Sequence, residues 1–210
     1  MVTEERDDYI AGSLRTQDWQ IRKRKLEEGA TAELWADTFD EFLLTRLDTR
    51  YLKPIRILQA NGCFEGEGFA IVSVQCALLE FLAALKIGKN YRYVRNRADL
   101  EAYEYNGSKV LFRDFLMTEE PFKDWFTSDE EAESFYANVR CALLHEARTK
   151  DGWRIWATGS PAVDPKNKIV RRNSLYEAID QYLVSYGQLL TEDKRSQEAF
   201  IRKFDHLADY

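Results

Sequence analysis

The feature that constrains this chain most is the apolar run FAIVSVQCALLEFLAAL, 17 residues from Phe69 to Leu85, closed shortly afterwards by Gly88. A stretch apolar nearly all round has to be covered on every side, so it reads as the central helix of a helical bundle. A bilayer span needs about 20 apolar residues, whereas this run holds Gln75 and Glu80, so no membrane is expected as a partner. Such a helix needs others around it, and the flanking segments offer them. In AELWADTFDEFLLTRLDTRYL, after Thr31, residues Leu34, Trp35, Phe39, Phe42, Leu43 and Leu47 keep the three- and four-residue spacing of one buried face. Pro54 marks a bend or restart. LYEAIDQYLVSYGQLL repeats the pattern with Leu175, Ile179, Tyr182, Leu183 and Tyr186.

Residues 3–28 read as a polar helix or helix pair, an N-terminal helical extension over 1–30, with Thr3 a candidate cap and Gly29 a stop. NGCFEGEG lacks a preceding strand and the G-x-G-x-x-G spacing, so it reads as a turn before the central helix. Residues 89–110 are irregular, rich in Tyr and Arg, with the turn signal Asn106-Gly107. Ser128 and Glu131 form a capping box that starts another helix. Its apolar face is Phe135, Val139, Leu143 and Ala147. Beyond Gly152, WRIWA and KIVRR are short, aromatic or β-branched, and predict a two-stranded β-hairpin over 153–172. The expected fold is all-α: one helical domain spanning 1–210, with a small β-hairpin insertion near its C-terminal part.

Three cysteines, Cys63, Cys76 and Cys141, form no C-x-x-C pair, which argues for a reducing, cytoplasmic setting without structural zinc. The opening MVTEERDDYI is too charged for a signal peptide. Net charge is −6, against a protein that coats nucleic acid. From Arg140 to Arg172, however, eight Lys or Arg face three Asp or Glu, and the remainder carries 22 against 33. That local surplus predicts a polyanion surface, with the solvated charge run as the plainer reading.

The surplus begins inside the helix from Ser128, at Arg140, with His145 five positions on. At about 100° and 1.5 Å per residue the two stand about 140° apart around the axis and about 7.5 Å along it. A straight helix would not bring them together. Either the helix ends or loosens near His145, or two chains build one site. Their chemistry suits metal-free RNA cleavage, with no cofactor or metal implied. Histidine moves protons near neutral pH, and arginine offers a charged planar fork that matches a phosphate. Glu80 needs a partner inside its apolar helix, and Arg140 is the first candidate. The pair either orients the guanidinium or simply clasps two helices. Cys141 is a thiol beside Arg140 or a small packed residue, and Arg148, Lys150 and Arg154 are candidate RNA-backbone contacts. His206, in the polar tail RKFDHLADY, offers a poor setting for catalysis.

The run FYANVRCALLHEA resembles the signature helix of the HEPN superfamily, in which Arg is followed by four to six residues and then His. The resemblance covers roughly Ser128–Trp153. It implies a helical bundle, a homodimer whose two motifs share a cleft, and a metal-independent endoribonuclease of a toxin–antitoxin or antiviral defence system. An antitoxin or sensor partner goes with that setting. It assigns phosphate binding to Arg140 and acid–base work to His145. Cys141 stands where active members often carry Asn, Asp or His, and Ala147 where antitoxin-regulated members carry Tyr. A related implication is a HEPN-like module that binds RNA, a nucleotide or a protein without cutting.

Overall fold

The computed structural model describes residues 8–63 and 65–209. A short antiparallel pair, β1 (Tyr9–Ala11) and β2 (Leu14–Arg15), leads into helix α1 (Thr16–Gly29). Helices α2 (Ala32–Thr38), α3 (Thr45–Leu47) and α4 (Lys53–Asn61) are linked through π-helical turns at Phe39–Leu44 and Asp48–Leu52. The long α5 (Glu67–Ile87) precedes β3 (Asn90–Tyr91) and β4 (Glu104–Tyr105), which pair in parallel. Next come α6 (Lys109–Thr118), α7 (Asp129–Phe135) and α8 (Ala142–Glu146). Strands β5 (Arg154–Trp156), β6 (Val163–Asp164) and β7 (Ile169–Arg171) then lead to α9 (Arg172–Glu192) and α10 (Lys194–Ala208). The fold is mostly helical, and its described strands are two or three residues long.

The chain forms two compact units. The first holds residues 8–52, 84–106 and 185–209. Its core is aromatic: Phe200 and Phe204 stack at 4.4 Å, with Trp19 5.1 Å from Phe204 and 5.4 Å from Phe42. Each such fully buried side chain contributes about 1.5–3 kcal/mol. Trp19 Nε1 donates to Asp205 at 2.9 Å, whereas the buried Trp35 Nε1 of the same unit has no hydrogen-bond partner among the described residues. Gly88, at φ 64°, ends α5 here because a Cβ would come within 2.7 Å of Ala199 Cα. At the N-terminal side the helix or helix pair expected over 3–28 is corrected in its first half. Thr3 lies outside the described residues, and a β-turn-β segment fills 9–15 before α1 starts at Thr16. Ile10 and Ala11 are buried there, so the chain folds back to cover them and does not continue as a solvated helix.

The second unit takes Lys53–Ala83 and Gly107–Val184. Within it α5 buries Ile71, Val72, Cys76, Leu78, Leu79 and Leu82. By length and composition α5 could cross a membrane, yet 56% of its most apolar window is buried inside the fold. Gln75, fully buried, donates its amide to the Arg172 carbonyl at 2.6 Å. Phe112 and Phe135 stack at 6.1 Å, and Phe115 packs 5.0 Å from Tyr182. Pro54 sits inside α4, directly after the π turn Asp48–Leu52. The wider turn is the local adjustment to a residue that cannot donate to the carbonyl four positions back.

The strands expected near the C-terminal part are present, but their pairing differs. WRIWA and KIVRR, as β5 and β7, run parallel, with Arg154 opposite Ile169 and Trp156 opposite Arg171. The antiparallel partner of β7 is β6, with Val163 opposite Val170, which makes a three-stranded sheet of order β5-β7-β6. The 12 residues between β5 and β7 are long enough to cross over and supply a middle strand of their own. Val163 and Val170 are both buried, which favours placing β7 at the centre.

Candidate active site

Ser128 starts α7 by accepting a hydrogen bond from the Glu131 N–H at 3.4 Å. The Glu131 carboxylate does not close the expected box on Ser128. It takes the Thr127 N–H at 2.7 Å and the Thr127 hydroxyl at 2.9 Å, holding the chain one residue before the cap. Three acidic residues, Asp129, Glu130 and Glu131, then occupy the first turn, where the helix dipole favours negative charge. Phe135, Val139 and Leu143 are buried as the spacing requires. Ala147 departs from that face. It is exposed, at φ 54°, and its left-handed conformation ends α8 at Glu146.

Between α7 and α8 the backbone widens into a π turn over Tyr136–Cys141, and Arg140 sits within it. Such a turn inserts an extra residue and re-aims the side chains around it, a device frequent at functional sites. The helix was expected to end or loosen near His145; it ends there, at Glu146, and the widening around Arg140 was not foreseen.

Arg140 is held on three sides. Its Nη2 donates to Glu80 Oε2 at 2.6 Å, with the two side chains 19% and 17% exposed. The guanidinium lies 5.6 Å from the centre of the Tyr136 ring, and Nη1 is 4.0 Å from Cys141 Sγ. Burial works against the positive charge, but Glu80 and Tyr136 outweigh it and hold Arg140 above the ordinary arginine range. Burial also pushes up the Tyr136 phenol, whose hydroxyl is 3.0 Å from Ser108 Oγ, and raises the Cys76 thiol to about 12. Cys76 is thus a neutral packed residue on α5, one turn from Glu80.

His145 is exposed on the last turn of α8, and no hydrogen bond or ion pair holds its ring among the described residues. Leu144 beside it is 63% exposed. The structure thus gathers Glu80, Arg140 and Cys141 into one cluster and leaves His145 at the helix end, open to solvent. Of the candidate backbone contacts, Arg148 bonds Glu146 at 3.0 Å and Lys150 pairs with the same carboxylate. Lys150 and then Arg148 draw the Glu146 pKa below its usual value. Arg154 lies 5.9 Å over the Trp156 ring, outside the cluster.

The charge surplus from Arg140 to Arg172 is largely spoken for. Arg172 is buried against Glu67 at 3.0 Å, Arg171 is buried and donates to the Pro161 carbonyl, and Lys168 bonds Asp151 at 2.7 Å. With Arg148 and Lys150 sharing Glu146, the predicted basic surface shrinks to Arg154 and Lys166 as the cations of this stretch with no ion pair among the described residues. Sequence reading missed Tyr136 and Ser108. Tyr136 was detectable as the residue one turn before Arg140, but Ser108 comes from a distant segment and left no local signal.

Compared with known proteins, the chain matches no family model, no curated protein and no solved structure.

Proposed function

We propose that this protein is a metal-independent endoribonuclease of HEPN-like type, with Arg140 binding the scissile phosphate and His145 moving the proton. The observation that carries this reading is the pairing of a charge-locked arginine in a π turn with a solvent-open histidine at the end of the same helix. The guanidinium has five donors, more than one Glu80 oxygen takes, so donors remain for a phosphate. In the reaction His145 accepts the 2′-hydroxyl proton and the 2′-oxygen attacks phosphorus. The bond to the 5′-oxygen breaks, and that oxygen leaves with a proton. Arg140 balances the charge that builds on the non-bridging oxygens. A second copy of the chain supplies the other imidazole, so the working form is a homodimer. Arg148, Lys150 and Arg154 guide the RNA backbone. A cytoplasmic role in toxin–antitoxin or antiviral defence, under an antitoxin or sensor partner, belongs to the same proposal.

One observation favours a second reading. The 2.6 Å Arg140–Glu80 bond already gives the arginine a structural duty, as expected of a HEPN-like module that holds RNA or a protein without cutting. The two readings part in an RNA cleavage assay in EDTA with wild type, Arg140→Ala and His145→Ala. Cutting lost in both folded variants supports the enzyme. No cutting by any of the three leaves the binding module.

A further inference from the structure

The first unit contains a cavity of about 700 Å³ whose walls include Tyr9, Arg46, Arg50, Tyr91, Arg92 and Tyr93. That volume is in the range of pockets that take a small organic ligand. We propose that this cavity binds a nucleoside phosphate, its phosphoryl groups held by Arg46 and Arg50 and its base against the exposed tyrosine rings. The inference is independent of the ribonuclease reading, since it uses none of the residues around Arg140.

Charge is the first ground. Arg46 Nη1 donates to the Ile10 carbonyl at 2.6 Å and Arg50 Nη2 to the Tyr9 carbonyl at 3.1 Å. Main-chain carbonyls orient a guanidinium but bring no counter-charge. Lys203, near Arg46 but outside the cavity walls, is 6% exposed and donates to the Lys89 carbonyl at 3.0 Å. Burial and then the neighbouring Arg46 lower its pKa to about 8. Burial and then Arg50 lower Arg46 to about 10. Arg50 and Arg46 crowd one another, and an anion in the cavity would relieve these two. Arg92 is paired with Glu104 at 3.0 Å, Asp8 is the carboxylate of the wall, and His206 lines the cavity.

The second ground is the aromatic surface. Tyr9 is 58% exposed, Tyr91 52% and Tyr93 75%. Exposed flat rings beside arginines suit a flat, partly polar ring, since bases stack on such side chains. One Tyr9 face is already taken by Arg15, 4.4 Å from the ring centre, whereas no stacking partner is seen on Tyr93 among the described residues.

The test is a calorimetric titration of the full chain with ATP, tripolyphosphate and adenosine, in wild type, Arg50→Ala and Tyr93→Ala. Arg50 and Tyr93 are both exposed, and thermal unfolding checks that the variants fold. ATP is expected to bind about tenfold or more tightly than tripolyphosphate, the effect of one stacked base. Arg50→Ala should weaken ATP about tenfold or more by removing a charge-assisted bond. The doubly substituted Arg140→Ala, His145→Ala chain should bind ATP unchanged, which separates this site from the other. A 5′-phosphorylated oligonucleotide that displaces ATP identifies a strand end as the source of the same group, and the assigned chemistry stands. No ATP binding up to millimolar concentration overturns the proposal, as does binding that both variants leave intact or that tripolyphosphate matches.

Discussion

Two arginine sites in this protein are built on opposite plans. Arg140 is closed in by a carboxylate, a phenol ring and a thiol, so one of its donors and part of its charge are engaged before any ligand arrives. Arg46 and Arg50 lean on main-chain carbonyls, and each cation lies in the other's field. The first plan fixes geometry and lowers the gain from binding an anion. The second leaves charge unspent and raises it. On the two proposals made above, Arg140 would hold a phosphate in a fixed place, and Arg46 and Arg50 would capture one.

The comparison can be broken most sharply at the histidine. If Arg140 is positioned for chemistry, His145→Ala should cost about 10²–10⁴-fold in RNA cleavage rate, the usual worth of a placed acid–base group. Arg50→Ala should leave that rate within about twofold when RNA is saturating. A rate assay in EDTA reads both, and equal losses would erase the distinction between the two sites.

The crowded cations should also appear in the pH dependence of stability. Folding holds Lys203 at about 8, below its unfolded value of about 10.4. Between those values the unfolded chain binds more protons, so this group's contribution makes stability rise with pH there, by up to about 3 kcal/mol. Denaturant melts from pH 7.5 to 10 should show this rise in wild type, and Lys203→Met should flatten it. Wild-type and Lys203→Met curves of the same slope would mean that the lysine is not desolvated as described.

Glu80→Gln tests the closed plan. It leaves Arg140 half-buried without its counter-charge, and because both side chains keep some solvent the loss should be about 1–3 kcal/mol rather than the full cost of a deeply buried pair. Arg50→Ala, at an exposed position, should move stability by less than about 0.5 kcal/mol. Chemical denaturation compares them directly. The smallest effect belongs to Arg148→Ala. Its Glu146 partner is itself exposed, so RNA affinity should fall only a few-fold, and the slope of log affinity against log salt should decrease by about one.

Sequence periodicity was informative wherever burial follows one helix. The faces of α2, α7 and α9 lie where Trp35, Phe135 and Ile179 predicted, because each burial decision is made within a few residues. A lone carboxylate in an apolar helix likewise announced its need for a cation, and Glu80 found Arg140. The π turn at Tyr136–Cys141 was not legible, since an extra residue per turn leaves the composition of a helix unchanged. Nor was the parallel pairing of β5 with β7. Alternation shows that a segment is a strand but not which strand it joins, and the two-residue β6 was too short to be detected. The tyrosine-lined cavity was hidden for a different reason. Its walls come from residues near 9, 46–50, 91–93 and 206, and no spacing rule connects segments so far apart. His206 looked like part of a solvated tail, yet it is half-buried in α10, where burial and Lys203 lower its pKa while Asp209 and Glu104 act in the opposite direction.

The central claim is that Arg140 and His145 act together on one phosphodiester. The most direct measurement is the chemistry of the RNA ends produced in EDTA by wild type and by the folded His145→Ala variant. The account predicts strands ending in 2′,3′-cyclic phosphate from wild type and none above background from the variant. Intact RNA with wild type, or the same cyclic ends from both proteins, would contradict it.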